Sequence, residues 1–244
     1  MLKKIRGYYA ALSIALGLGF IILVMFFFKK QNNARKIRKW CRAFFPANHI
    51  KIDKFGDYDL SATLYVCNHQ SATDIIYLEG YHPLNICWVA KKELGELPFY
   101  GYALKIPEMI LIDRDDSRGL VQLLKEAKEK LAQGRPIVIF PEGTRGPGGK
   151  KFLPFKPGAK ILAEKLKLKV QPIVFINMRK IFNGKPIECT SRHGAVIFLP
   201  SFYPSDLGEG WYDKLKENMF ATYCEYYDKL NPNEDSNIES NAKI

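Results

Sequence analysis

The residues best placed to do chemistry are His69 and Asp74, in the stretch Asn68-His69-Gln70-Ser71-Ala72-Thr73-Asp74. An imidazole whose tautomer and orientation are held by a carboxylate can act as a general base. The spacing i, i+5 would turn two helical side chains apart by roughly 140° at 3.6 residues per turn. The pair can meet if His69 lies in a loop and Asp74 lies in the first turn of a following helix, pointing back. The apolar run over residues 62–67 before the stretch, and Ile75, Ile76 and Leu78 after it, supply that strand–turn–helix context. A blander reading stands beside it: Ser71-x-x-Asp74 is a capping box and His69 an ordinary turn residue.

Three further sites fall directly after apolar runs. Ala90-Lys91-Lys92-Glu93-Leu94 follows the run 86–90, Ile112-Asp113-Arg114 closes the run 109–112, and Phe140-Pro141-Glu142-Gly143-Thr144-Arg145 follows 137–140. Open α/β sheets bind ligands at the carboxyl ends of their strands. Lys91, Arg114 and Arg145 would then converge on one edge, with Gly143 permitting a tight turn. Convergent cations beside a glycine turn suit a phosphate, and Arg offers bidentate contacts. Any one of them alone reads as a surface charge.

The elements that must position these residues alternate between short apolar runs and helical patterns. Strands are expected at 62–67, 86–90, 109–112, 137–140, 170–176 and 195–199. Helices are expected at 117–133, capped by Asp116 and ended by Gly134, after Gly158, and at 211–230. This predicts an α/β fold with a mostly parallel or mixed sheet flanked by helices. The five cysteines (Cys41, Cys67, Cys87, Cys189, Cys224) form no C-x-x-C pair. They read as reduced thiols of a cytoplasm-facing domain, with Cys67 in the core; neither a metal nor a cofactor is expected.

Ahead of this domain, residues 7–28 run for 22 positions without a charge. As a helix they would reach about 33 Å, enough for a hydrocarbon core of ~30 Å. Arg35, Lys36, Arg38, Lys39 and Arg42, mixed with Ile37, Trp40, Phe44 and Phe45, predict a basic amphipathic helix on an anionic, cytoplasmic leaflet. Residues 1–49 are thus expected to anchor the domain 50–230, either spanning the bilayer or dipping into one leaflet, and 231–244 to form a disordered tail. The net charge of +12 does not indicate nucleic acid, because ten of the charges lie within the first 50 residues.

Taken together, these blocks resemble the glycerolipid acyltransferases. Asn68 to Asp74 matches their N-H-x-x-x-x-D motif and Phe140 to Arg145 their F-P-E-G-T-R motif. Ile110-Leu111-Ile112-Asp113-Arg114, Ala90-Lys91-Lys92-Glu93-Leu94 with Pro98-Phe99-Tyr100-Gly101, and Val170-Gln171-Pro172-Ile173-Val174 resemble the blocks between and after them, in family order. One departure is Ile106-Pro107-Glu108-Met109, where the family usually has an early Gly, so Pro107 and Glu108 could reshape the pocket entrance. The resemblance implies acyl transfer from a thioester, on acyl carrier protein or coenzyme A, to the 2-hydroxyl of lysophosphatidic acid at the inner membrane. It implies His69 as base, Asp74 as its orienting partner, and Lys91, Arg114, Gly143, Thr144 and Arg145 at the acceptor phosphate. Glu142 would bind the glycerol hydroxyl or brace an Arg. Two alternatives are an acyltransferase for another lyso-lipid, such as a lyso-ornithine lipid, and a non-catalytic membrane-anchored lipid-binding protein. The presence of His69 and Asp74 argues against the second.

Overall fold

Nine strands form in the computed structural model, which describes residues 1–29, 32–113, 119–232 and 234. They are β1 (Lys51–Phe55), β2 (Leu64–Cys67), β3 (Cys87–Lys91), β4 (Ile110–Ile112), β5 (Ile137–Ile139), β6 (Val170–Ile176), β7 (Asn183–Gly184), β8 (Ile187–Glu188) and β9 (His193–Phe198). Seven make one sheet in the order β1-β9-β6-β2-β5-β3-β4, and β7 and β8 make a separate hairpin. Strands β2 to β6 are mutually parallel, whereas β9 runs antiparallel to β6 and carries β1 with it. Every residue of β2 and β6 is buried, as continuous apolar runs covered on both faces should be.

The expected strands and helices form, with shifts at their ends. The helix expected at 117–133 is seen at Gly119–Ala132; its proposed cap Asp116, like Arg114, lies in the segment 114–118, outside the described residues. Strand β1 has no apolar signature because it is an edge strand, where charges are tolerated and discourage pairing with other chains. Asn231 and Glu234, assigned to the disordered tail, are docked: both accept from Lys180, and Glu234 also accepts from the Tyr227 hydroxyl.

The segment 32–47 departs further from expectation. It is a hook of short helical turns, not one amphipathic helix, and two of its basic residues point inward. Arg35 and Arg38, each 4% exposed, converge on Glu79 of the helix Ala72–Tyr81 at 3.0 and 2.7 Å. Arg35 also donates to the carbonyls of Glu79, His82 and Leu84, and Arg38 to the Asn85 side chain. Charges this deep persist only when paired and hydrogen-bonded, which overrides the membrane-facing role expected of these two. Phe44 and Phe45 join Ala10 and Ile50 in the main core, so packing runs unbroken across residue 49.

The N-terminal helix Leu2–Phe28 lies along the domain. The Lys3 carbonyl accepts from Cys189 N–H, and Gly7 lets the helix touch the β8 backbone, since a Cβ there would sit 2.4 Å from the Glu188 Cα. Ser13 and Asn48 hydrogen-bond, Phe20 stacks on Trp40, and Phe26 meets Tyr102 edge-on. Leu12, Leu16, Phe20, Leu23 and Phe27 remain exposed on the outer face.

Beneath the hook, His82 is fully buried between Tyr58 and Tyr65, and its Nδ1 accepts from Leu84 N–H at 3.1 Å. Burial, aided by the Arg35 charge, pushes its pKa down to about 3 from an ordinary 6.5. Below pH 6.5 the unfolded chain gains a proton that the native chain refuses, so stability is full above that pH and is lost as pH falls. In detergent, the unfolding free energy should drop by up to ~1.4 kcal/mol per pH unit from this residue alone. His82→Asn should flatten that slope by one proton; an unchanged slope would show that His82 is charged in the fold.

Candidate active site

Strand β2 ends at Cys67, and the chain turns through residues 68–71 into the helix Ala72–Tyr81. Side chains of the turn itself hold it. Asn68 extends the sheet by one rung: its Oδ1 accepts from Phe175 N–H at 2.7 Å, and its Nδ2 donates to the Phe175 carbonyl at 3.0 Å. Gln70 accepts from Met178 N–H at 3.0 Å and donates to the Tyr223 hydroxyl at 2.8 Å. The hydroxyls of Ser71 and Thr73 donate to the carbonyls of Phe182 and Met178. The turn is thereby tied to β6 and, through Tyr223, to the helix Trp211–Leu230.

Asp74 stands in the first helical turn with no exposed surface. Its Oδ2 accepts from Gln70 N–H at 2.6 Å and Ser71 N–H at 2.8 Å, and lies 2.7 Å from His69 Nδ1. The capping box and the oriented imidazole therefore share one oxygen of Asp74. With Nδ1–H donating to Asp74, Nε2 keeps its lone pair and is the atom left to take a proton. The His69 ring lies flat on Phe140, with centroids 3.9 Å apart and planes 12° apart. Cys67 beside it is no nucleophile, because burial holds its thiol far above the usual range.

Glu142 is buried, and among the described residues its carboxylate is engaged by backbone N–H groups. Its Oε1 accepts from His69 N–H at 2.8 Å and its Oε2 from Leu153 N–H at 3.0 Å, so the carboxylate braces the His turn and the loop after β5. Burial pushes its carboxyl above the usual range against those two hydrogen bonds. Gly143, at φ 74°, reverses the chain just after it, in a conformation that favours glycine. Three residues on, Gly146 N–H donates to the His69 carbonyl at 2.8 Å.

Of the predicted cations, Arg145 and Lys91 are among the described residues, and both follow strands on one side of β2. Next to β2 comes β5, whose following loop carries exposed Thr144 and Arg145. Arg145 is near enough to Tyr100 to offset in part the rise that burial imposes on that phenol. Then comes β3, ending at Lys91, whose Nζ is 2.7 Å from Glu93. Last is β4, after which the described residues stop at Asp113, so Arg114 lies outside them. Pro107 and Glu108 precede β4 and so sit at the opposite edge of the sheet. Glu108 pairs there with Lys130, and the Pro107 carbonyl accepts from Arg135, so neither shapes the entrance. Sequence reading missed the bracing by Asn68 and Gln70 and the ring under His69. The only available signal for the first two was a pair of polar residues closing a wholly apolar strand, which must find partners if buried.

Comparison with known proteins identifies relatives of this chain. Residues 49–176 match the family model described as Acyltransferase. The 1-acyl-sn-glycerol-3-phosphate acyltransferase of Helicobacter pylori strain J99 is 55% identical over 229 residues, covering 94% of this chain and 97% of that protein. The protein of the same name from Cocos nucifera is 31% identical over 172 residues, covering 70% of this chain and 56% of that one. The crystal structure of the 1-acyl-sn-glycerophosphate (LPA) acyltransferase PlsC from Thermotoga maritima shares the fold, with a TM-score of 0.66 at 20% identity over 93% of this chain and 95% of that one. With more than half of its length matched by one family model and nearly all of it by a close relative, the chain belongs to the Acyltransferase family.

Proposed function

We infer that the protein transfers an acyl group from a thioester to the 2-hydroxyl of 1-acylglycerol-3-phosphate, giving phosphatidic acid. The observation that carries this reading is the His69 imidazole, held at 2.7 Å by a buried Asp74 at the carboxyl end of β2, with Arg145 and Lys91 following the neighbouring strands β5 and β3. An alcohol is a weak nucleophile at neutral pH, so its proton must leave as it attacks. His69 Nε2 takes that proton while the hydroxyl oxygen adds to the thioester carbonyl. Asp74 stabilises the imidazolium that forms. Collapse of the tetrahedral adduct breaks the carbon–sulfur bond, and the imidazolium returns the proton to the departing thiolate. Ester and thiol are the products, and no acyl-enzyme is needed.

Arg145, Arg114 and Lys91 are proposed to bind the acceptor phosphate, with Gly143 and Thr144 shaping the loop around it. Fixing the phosphate fixes the distance from the glycerol hydroxyl to Nε2. The thioester is carried by acyl carrier protein or coenzyme A. The exposed apolar face of the helix Leu2–Phe28 supports a seat in the membrane. Because that helix is fastened to the domain near both ends, it suits immersion in one leaflet better than a free-standing span. The cytoplasmic face of the inner membrane, where thioester donors are made, is the proposed location.

Purified protein in detergent should form phosphatidic acid from lysophosphatidic acid and an acyl thioester, the two carriers being offered separately. His69→Ala should lower kcat by about 10³-fold. Full activity in that variant would overturn the mechanism, and an inactive wild type would send the assignment to other lyso-lipids. Asp74→Asn should preserve the turn, since an amide oxygen can still accept from Gln70 and Ser71. It removes the charge that the imidazolium needs, so kcat should fall by roughly 10²–10⁴-fold with little loss of melting temperature. Arg145→Ala should raise the acceptor KM about 10–100-fold, the worth of a charge-assisted phosphate contact, and leave the donor KM unchanged.

A further inference from the structure

The hydrogen bond to Asp74 fixes where one nitrogen of His69 lies but not the plane of the ring, and the direction in which Nε2 points depends on both. The plane is set from below. Phe140 lies face to face with the imidazole at 3.9 Å, and the buried Trp88 of β3 stacks with Phe140 at 5.4 Å and 23°. Trp88 is itself held, since its Nε1–H donates to Glu79 Oε1 at 2.6 Å. Arg35 and Arg38 of the hook grip that same carboxylate. A continuous line of contacts thus runs from the base, through two aromatic rings and one carboxylate, to the N-terminal hook.

We propose that Phe140 and Trp88 are positioning residues for acyl transfer: their stacked rings fix the plane of the His69 imidazole and favour the imidazolium formed during the reaction. An aromatic face attracts a cation lying on it, and the attraction grows when water is excluded. Neutral His69 gains little from Phe140 in this way, whereas protonated His69 gains more. The contact therefore favours the charged state that builds up as the alcohol attacks, which is differential binding. Trp88 acts one ring further away, by keeping Phe140 in place. Glu79 keeps the Trp88 indole in place in turn, which gives the buried arginine–glutamate cluster a use beyond holding the hook.

The proposal rests on His69 being the base, and the test separates the two claims. Kinetics would be measured on Phe140→Leu, Trp88→Leu, the double variant and Phe140→Tyr, with His69→Ala alongside and melting temperatures recorded. Leucine keeps apolar volume but loses the aromatic face, so Phe140→Leu should lower kcat about tenfold while both KM values stay within about twofold. Phe140→Tyr should recover most of that loss. Trp88→Leu should lower kcat about threefold, and the double variant should be no worse than Phe140→Leu, because residues acting through one another are not additive. If Phe140→Leu kept the wild-type kcat, or if the two losses multiplied, the stack would not be a positioning device, even with His69→Ala inactive. If His69→Ala were active, both claims would fall. Should Phe140→Leu not fold, the kcat–KM split in Trp88→Leu decides alone: an unchanged kcat overturns the proposal.

Discussion

One oxygen, Oδ2 of Asp74, carries the site. It takes two backbone N–H groups of the turn and the imidazole Nδ1, all within 2.8 Å, with no access to water. A carboxylate so placed would be costly to bury without those donors, and the donors would be costly to bury without it. Neither can relax alone, so the turn, the helix start and the imidazole orientation form one cooperative unit. Loss of any donor would loosen the other two. The bracing around it follows the same logic. Asn68 satisfies the backbone of β6 beyond the end of β2, and Glu142 satisfies the His69 and Leu153 amides. His69 stands on a loop, but that loop is tied down by hydrogen bonds on every side.

Much of this was legible in the chain because it is local. The strands at the centre of the sheet are short runs of buried apolar residues, and their ends could be read to within about two residues. The His–Asp pairing was suggested by spacing, because residues five apart can meet when the first lies in a loop and the second in the first turn of a helix. What could not be read depends on contacts distant in sequence. Glu142 carries a motif letter that suggests a ligand contact, yet its partners lie 73 and 11 positions away. Phe140 reads as the last apolar residue of a strand, and nothing local says that a histidine 71 positions earlier in the sequence rests on it. Strand β1, spelled Lys-Ile-Asp-Lys-Phe, shows no periodicity because its burial is slight.

The basic hook shows how composition can mislead about where charge goes. Its positive charge pointed toward an anionic membrane surface. Two of its five basic residues are instead consumed by Glu79, and Lys3 of the preceding helix pairs with Glu188. Lys36 and Arg42 remain exposed, which is a modest attraction and one that salt would screen. The stronger support for a membrane seat is apolar. Leu12, Leu16, Phe20, Leu23 and Phe27 form an exposed stripe on a helix whose other face is occupied by the domain. Contiguous apolar surface on that scale is rare on proteins that remain in water. Burying it in acyl chains would bring the catalytic domain down to the headgroup layer, since the helix cannot move away from the domain without breaking its contacts at Lys3, Ser13 and Phe26. The proposed lysolipid would then need to rise only far enough for its phosphate to reach the loop that carries Arg145. Its acyl chain could stay in the bilayer while its hydroxyl reached His69.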